Sequence, residues 1–483
     1  MIDTCFYTNY PDGFVLSCDD RPYKPNKPSI KHILFCNYDW LEKLNELNLL
    51  RRAIMDNIDR TLLCKTFYLG YDAFECPTCH NENLLFRHCH SRFCNSCGVK
   101  QQKLISSKVA EMAVDAPHRH IVFTIPEEIR DFFRIDRDAM NLLFIAARNT
   151  ICLIFNDKIY KKAKKKNFPN SYYLYRHFRH QKDFGMIACL HTFGRDLKWN
   201  PHIHALVPEI TYDPEAHTVK PFTHLNFEKL RRTFQYELLR LMTEHFEKRF
   251  NIFKKFKKYN KFKRFKEIKD ELYNNHFKGF YVYAKYTKYD TSETKGKKIN
   301  NVKGVKAKVD YIMRYASRPA MAESRLISFN RETNTVVWFY DRHEDNKRIE
   351  VTEDAHEFIK KLIIHIPDNH FQMIRYYGFY NNKKRESLDD IYLILAQKKE
   401  KKYISVKQRA RLVKLKSRKY RTRTFILDSY NRDILKCPCG TIMKYVDTYD
   451  PLKGKTNDER YRKDCINEMR EMWKRRRSPR MGT

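Results

Sequence analysis

Three kinds of residue in this sequence have the type and spacing to do chemistry: paired histidines, paired tyrosines and paired cysteines. His-x-His occurs at His88/His90, His118/His120 and His202/His204. Nineteen histidines scattered through 483 residues give about one such pair by chance, so spacing alone selects nothing. Context selects His202-Ile203-His204, which runs into the apolar stretch Ala205-Leu206-Val207. On a strand, alternate side chains share a face, so both imidazoles point one way and Ile203 the other. Two neutral imidazoles on a rigid strand can hold a divalent ion that polarises a phosphate. A third ligand is expected from His191 on the preceding strand. A hairpin turning at Leu197-Lys198 would set it opposite His204. His120 is the second choice for that role.

Tyr-x-x-x-Tyr also occurs three times, at Tyr311/Tyr315, Tyr376/Tyr380 and Tyr445/Tyr449. With 31 tyrosines, about two such pairs arise by chance. Residues 309–316 lack Gly and Pro and read as helix, stopped by Pro319. On a helix, side chains four apart stand one above the other, so Tyr311 and Tyr315 would present two phenols to one site. A core aromatic stripe has the same spacing. Tyr376/Tyr380 spans Gly378, a poor helix residue, and Tyr445/Tyr449 lies in a β-branched stretch.

The cysteines form two knuckles, Cys76-Pro-Thr-Cys79 and Cys94-Asn-Ser-Cys97, 14 residues apart. That arrangement predicts a zinc ribbon, whose four thiolates close a tetrahedral shell and make a structural Zn²⁺ site. Cys89, between the knuckles, is a further candidate ligand. Cys437-Pro-Cys439 offers only two nearby thiols, and with Cys465 would make a weaker site.

These residues sit in a strongly basic chain. Ninety-five Lys+Arg against 58 Asp+Glu leave a net charge of +37, which points to a polyanionic partner, with DNA foremost. Residues 251–266 carry eight basic residues and no acid, punctuated by aromatics. Lys254, Lys257, Lys261 and Arg264 are therefore candidate phosphate contacts, although a helix with an aromatic core stripe and a solvated basic face reads equally well. Residues 401–424 carry eleven basic residues and no acid. The apolar run 142–155 is interrupted by Arg148, Asn149 and Thr150, so a membrane span is not expected. The N-terminus lacks a signal-peptide pattern, and clustered thiols suit a reducing compartment, so a cytoplasmic location is expected.

The elements that must position these groups are mixed. Strands are predicted at 118–125, 186–193, 202–208 and 279–286, a hairpin at 326–329 and 335–340, and helices at 127–156, 227–250 and 308–316. Strands and helices without βαβ alternation predict an α+β fold with a largely antiparallel sheet. Three regions are expected: a zinc-binding domain at 1–115, a catalytic domain at 116–345 and a basic, mostly helical DNA-binding region at 346–483.

Taken in chain order, the segments 76–98, 117–126, His191-Thr-Phe-Gly194, Asn200-Pro-His-Ile-His204 and Tyr311-Ile-Met-Arg-Tyr315-Ala-Ser-Arg318-Pro319 resemble the transposases of the insertion sequence 91 family. These belong to the HUH class of rolling-circle nucleases, named for His-hydrophobic-His. The resemblance runs from about residue 60 to 380 and ends near Ile374–Gly378. It implies an N-terminal zinc-binding domain followed by an HUH nuclease with a central antiparallel sheet flanked by helices. It also implies nicking and rejoining of single-stranded DNA through a 5′-phosphotyrosine, with Mg²⁺ or Mn²⁺ at the histidines and Tyr311 and Tyr315 as nucleophiles. Arg314 and Arg318 lie beside those phenols, where a cation favours the phenolate and can bind DNA. No phosphate-binding Gly-x4-Gly-Lys-Ser/Thr loop occurs. A plasmid replication initiator or relaxase would share this chemistry. A non-catalytic zinc-ribbon DNA-binding regulator would share only the cysteines and the charge.

Overall fold

The computed structural model describes residues 28–156, 183–222, 225–253, 260–284, 309, 319–342, 344–397, 405, 407–408, 411, 433, 435–450 and 459–477. Helices α1 (Ile30–Cys36), α2 (Tyr38–Glu46) and α3 (Arg52–Leu63) lead to strands β1 (Tyr71–Glu75) and β2 (Glu82–Phe86), then α4 (Asn95–Met112). Next come β3 (His118–Thr124), α5 (Glu127–Ile135), α6 (Met140–Phe155), β4 (Gly185–Phe193) and β5 (Trp199–Pro208). A small hairpin, β6 (Ile210–Asp213) and β7 (Thr218–Pro221), precedes α7 (Phe227–Phe253), α8 (Asn260–Asn275) and β8 (Val282–Tyr283). The rest comprises β9 (Leu326–Asn330), β10 (Thr335–Asp341), β11 (Arg348–Asp354), α9 (Ala355–Ile363), β12 (Ile374–Gly378), α10 (Arg385–Gln397), β13 (Lys444–Tyr449) and α11 (Glu459–Arg477).

The fold is α+β. A five-stranded sheet in the order β12-β4-β5-β3-β8 is antiparallel at every pairing. One face packs Ile121, Phe123, Ala188, Leu190, Ile203, Ala205 and Val207 against the apolar sides of α5, α6, α7 and α8. The stretch Arg137–Phe155 is long and apolar enough to cross a membrane by composition. Here its Met140, Leu143, Phe144 and Ala147 are fully enclosed in that core. A second core joins α1–α3 to β9, β10, α9 and α11, with Trp338 among its largest buried side chains. Its C-terminal contribution is fastened by Arg462, whose guanidinium bonds Asp56 at 2.7 Å.

Several elements differ from the sequence expectation. The helix expected over 127–156 is two helices, because Asp136 leaves the helical region (φ −113°, ψ 93°). Its carboxylate instead accepts a bond from His245 Nε2 on α7 at 2.8 Å. The strand expected over 279–286 is reduced to Val282–Tyr283 among the described residues. The hairpin β9–β10 gains a third strand, β11. Residues beyond 345, expected as a helical extension, supply β12 to the central sheet and β13 to the edge of β1–β2. In the basic stretch 251–266, Phe265 is buried against Phe132 and Phe246 and so belongs to the core.

β12 ends at Gly378, which has φ +61°, and a Cβ there would lie 1.5 Å from the Phe184 carbonyl oxygen. A left-handed backbone and a clash with main chain coincide, and neither can be relieved by a rotamer change. Gly378→Ala is expected to destabilise the protein by at least about 2 kcal/mol. Denaturant unfolding checks this, and an unchanged midpoint would contradict it.

Candidate metal centre and cysteine clusters

The β4–β5 hairpin builds the histidine site. Pairing runs Ile187↔Leu206, Cys189↔His204 and His191↔His202. His191 therefore faces His202, two residues from the expected partner His204. The cause is the turn: β5 begins at Trp199, and a bulge separates the His191 and Phe193 pairings. The extra residue falls beside Pro201, whose missing N–H suits a bulge. Because the displacement is even, His191 keeps the same face as both β5 histidines.

The three imidazoles converge. His191 Nδ1 lies 3.0 Å from His202 Nε2, and His202 Nε2 lies 3.0 Å from His204 Nε2. His202 Nδ1–H donates to the Asn200 carbonyl at 2.6 Å, which turns the Nε2 lone pair towards its neighbours. Burial pulls His202 down to about 4 and holds His191 and His204 well below the usual imidazole value. All three are thus neutral near pH 7, the form a metal ion needs.

His120 is placed differently. It lies on β3, one strand over, with Nε2 2.9 Å from His204 Nδ1. If His204 offers its Nε2 lone pair to an ion, its Nδ1–H donates to His120, which then orients the ring. The pair His118/His120 thus shares the histidine face. The Arg119 between them, which masks the pattern in sequence, is neutralised by the buried Glu209 carboxylate at 2.7 Å. His118 is already committed: Nδ1 bonds the Ala116 carbonyl and Nε2 the Tyr380 hydroxyl, each at 2.8 Å.

Tyr311, Tyr315, Arg314 and Arg318 lie outside the described residues, as do Lys254 and Lys257. Lys261 and Arg264 fall within the first five residues of α8. The residues flanking the tyrosine segment are described. Val309 is fully buried in the cluster that holds Ile187, Cys189 and Leu206, all on the histidine face. Pro319 and Ala320 line a cavity of about 30 Å³ together with His191, Thr192, Arg92 and His365. The alternative pairs are not helical. Tyr376 lies on β12, Tyr380 is buried with its hydroxyl accepting Val114 N–H at 3.1 Å, and Tyr445 and Tyr449 lie on β13.

The four cysteines expected to share one ion are not brought together. Cys94 and Cys97 join Cys64 and Cys89, whereas Cys76 and Cys79 join Cys437 and Cys439. In the first cluster, Cys97 Sγ lies 3.6 Å from both Cys64 Sγ and Cys89 Sγ. Cys94 caps α4 and Cys97 sits in its first turn. Donation from the Cys89, Cys94 and Cys97 thiols holds Cys64 well below the usual thiol range. Cys64 closes α3 and has no knuckle partner in sequence, so no spacing rule could select it. Cys465 packs in the core of α11, apart from either cluster.

Comparison with known proteins follows this geometry. Residues 36–125 match the family described as "Transposase zinc-binding domain", the zinc-binding domain of insertion sequence 91 transposases. Residues 185–387 match the family described as "Putative transposase". The chain is 26% identical over 345 residues to "Putative transposase y4qJ" of Sinorhizobium fredii (strain NBRC 101917 / NGR234), covering 70% of this chain and 77% of that protein. It is 25% identical over 358 residues to "Transposase for insertion sequence element IS801" of Pseudomonas savastanoi pv. phaseolicola, covering 73% of this chain and 76% of that protein. No solved structure gives a significant match. With a transposase zinc-binding segment and a transposase segment in tandem, and relatives spanning both, the chain belongs to the insertion sequence 91 family of transposases.

Proposed function

We propose that this transposase nicks and rejoins single-stranded DNA at element ends by rolling-circle chemistry, using Tyr311 and Tyr315 as nucleophiles beside an ion held by His191, His202 and His204. The observation that carries the reading is the convergence of three neutral, buried imidazoles on one sheet face. Nothing in a purely DNA-binding regulator requires that arrangement, because burying three polar rings without a ligand is unfavourable. A relaxase or replication initiator would use the same site, and family membership favours the transposase.

The donor set fits a divalent ion. Neighbouring nitrogens 3.0 Å apart match the spacing of about 3.0 Å between adjacent ligands of an octahedral ion bound at about 2.1 Å. Imidazole donors suit Mn²⁺ better than Mg²⁺, whose preference is for oxygen. When bound, the ion would polarise the scissile phosphate. In the reaction itself, a tyrosine oxygen bonds phosphorus while the 3′ oxygen leaves and takes up a proton. The resulting phosphotyrosine conserves the bond energy for rejoining. Arg314 and Arg318 would favour the phenolate. The anchoring of Val309 and Pro319 on either side of the histidines supports setting the intervening tyrosines over the same face. Lys254, Lys257, Lys261 and Arg264 would track phosphates. The cytosol, where thiols stay reduced, is the compartment this reading requires.

Structural zinc is assigned to Cys64, Cys89, Cys94 and Cys97. Their 3.6 Å contacts approach the tetrahedral edge of about 3.8 Å for Zn–S bonds of about 2.3 Å. Since such an ion contributes roughly 10 kcal/mol or more to folding, Cys89→Ser should lose one zinc per chain and much of its soluble yield. A variant that keeps its zinc, by elemental analysis, and its melting temperature would refute the assignment.

His202→Ala or His204→Ala should cut single-stranded DNA at least about 100-fold more slowly. Binding of the same oligonucleotide should change less than about twofold, since charge spread over many residues carries it. Mn²⁺ should restore chelated enzyme at lower concentration than Mg²⁺. Wild-type cleavage by both variants would move the site elsewhere.

Phe at Tyr311 and Tyr315 removes the nucleophilic oxygen and keeps the ring. The double variant should bind DNA and form no covalent adduct, and each single variant should lose transposition. Peptide mapping of the wild-type adduct reads the nucleophile directly. Phosphotyrosyl-DNA on Tyr376, Tyr380, Tyr445 or Tyr449 would overturn the assignment.

A further inference from the structure

Neither matched segment, 36–125 or 185–387, reaches the pair Cys437-Pro-Cys439. In the fold that pair is not isolated. Cys437 Sγ lies 3.3 Å from Cys79 Sγ, and Cys439 Sγ lies 3.5 Å from Cys76 Sγ, across more than 350 residues of chain. The topology explains why. β13 runs antiparallel to β1, with Tyr71↔Tyr449 at one end and Glu75↔Lys444 at the other. The turn leaving β1 and the turn entering β13 therefore meet at the same end of the sheet β13-β1-β2.

The two turns are built alike. In the first, His80 N–H bonds the Cys76 carbonyl at 3.0 Å, and His80 is left-handed (φ 58°). In the second, Gly440 N–H bonds the Cys437 carbonyl at 2.8 Å, and Gly440 is left-handed (φ 93°). Each turn thus curls its backbone behind two thiols, as a zinc knuckle does. Thr78 and Thr441 hydroxyls meet at 3.0 Å between them. Two of the four cysteines, Cys76 and Cys437, are buried, while Cys79 and Cys439 face solvent.

We propose that Cys76, Cys79, Cys437 and Cys439 hold a second structural Zn²⁺, a ribbon whose two knuckles come from opposite ends of the chain. All four sulfurs lie within 4.8 Å of one another, and the set is all thiol, the composition of a closed structural site. Closing a loop of this length with metal would pin β13 to β1 and restrict the unfolded chain. Arg87 and Asp450 add an ion pair at 2.6 Å along the same seam.

The test uses the full-length protein purified with Zn²⁺ as the only added metal. Elemental analysis should find one zinc ion fewer per chain in Cys437→Ser and in Cys439→Ser than in the wild type, whatever the histidine site takes up. Alkylation read by mass spectrometry should leave Cys79 and Cys439 of the wild type unmodified despite their exposure, until a chelator is added. In Cys439→Ser, Cys79 should become reactive without chelator. A zinc content unchanged from the wild type in both variants, or prompt alkylation of wild-type Cys79 and Cys439, would each overturn the proposal. The alkylation pattern of the wild type decides the matter even if a variant fails to fold.

Discussion

The histidine site depends on the two-residue period of one hairpin. On β4 and β5, alternation sends Ala188, Leu190, Ile203, Ala205 and Val207 into the core and leaves Cys189, His191, His202 and His204 on the opposite face. The apolar half of the pattern fixes the register, because a one-residue slip would bury imidazoles among the side chains of α6 and α7. From the Phe193↔Trp199 pairing, a regular ladder would set His191 opposite Pro201, and the one-residue bulge at Trp199–His202 brings His202 opposite it instead, so that the rings share a face. The site is therefore set by core packing on the far side of the same strands.

Placement on that face is costly unless the rings have something to bind. Among the described residues, His191, His202 and His204 are all nearly buried, and desolvation keeps each neutral. Each bond that is satisfied orients a ring: the Asn200 carbonyl turns His202, and His120 meets His204. His118, two residues from His120 on the same face, shows the contrast. It spends both nitrogens on Ala116 and Tyr380 and so has become a packing residue.

Local patterns in the sequence carried the strands, the common face of His202 and His204, and the presence of cysteine knuckles. What they did not carry was long-range. The knuckles 76–79 and 94–97 look like partners because they are 14 residues apart, yet β1 and β2 turn them to different clusters, with Cys64 and Cys437/Cys439 as the completing thiols. Ligand type is a local signal, whereas ligand partnership follows from topology. The same holds for β12, a short strand after residue 373 that finds its place only because the edge of β4 is open to it. The break at Asp136 was hidden because 127–135 and 140–155 are each good helices, and the carboxylate that separates them answers to His245, more than 100 residues away.

The cysteine cluster and the histidine site are not independent. The loop between Cys89 and Cys94 is fastened at both ends by cluster sulfurs, and in its middle Ser91 Oγ donates to Asn57 on α3 at 2.7 Å. Ser91 N–H also bonds Cys89 Sγ at 3.4 Å, and Phe93 N–H bonds Ser91 Oγ at 3.1 Å. Held this way, the loop presents Arg92 and Phe93 to the cavity that His191 and His365 line. Burial lowers the Arg92 pKa, and its charge helps depress His191. A guanidinium remains cationic in such surroundings. Stripped of competing water, it is a stronger partner for a phosphate oxygen than an exposed arginine would be. One wall of the histidine site is thus shaped by the four thiols of the neighbouring cluster. Metal bound there would stabilise the fold and at the same time fix where a positive charge stands beside the imidazoles.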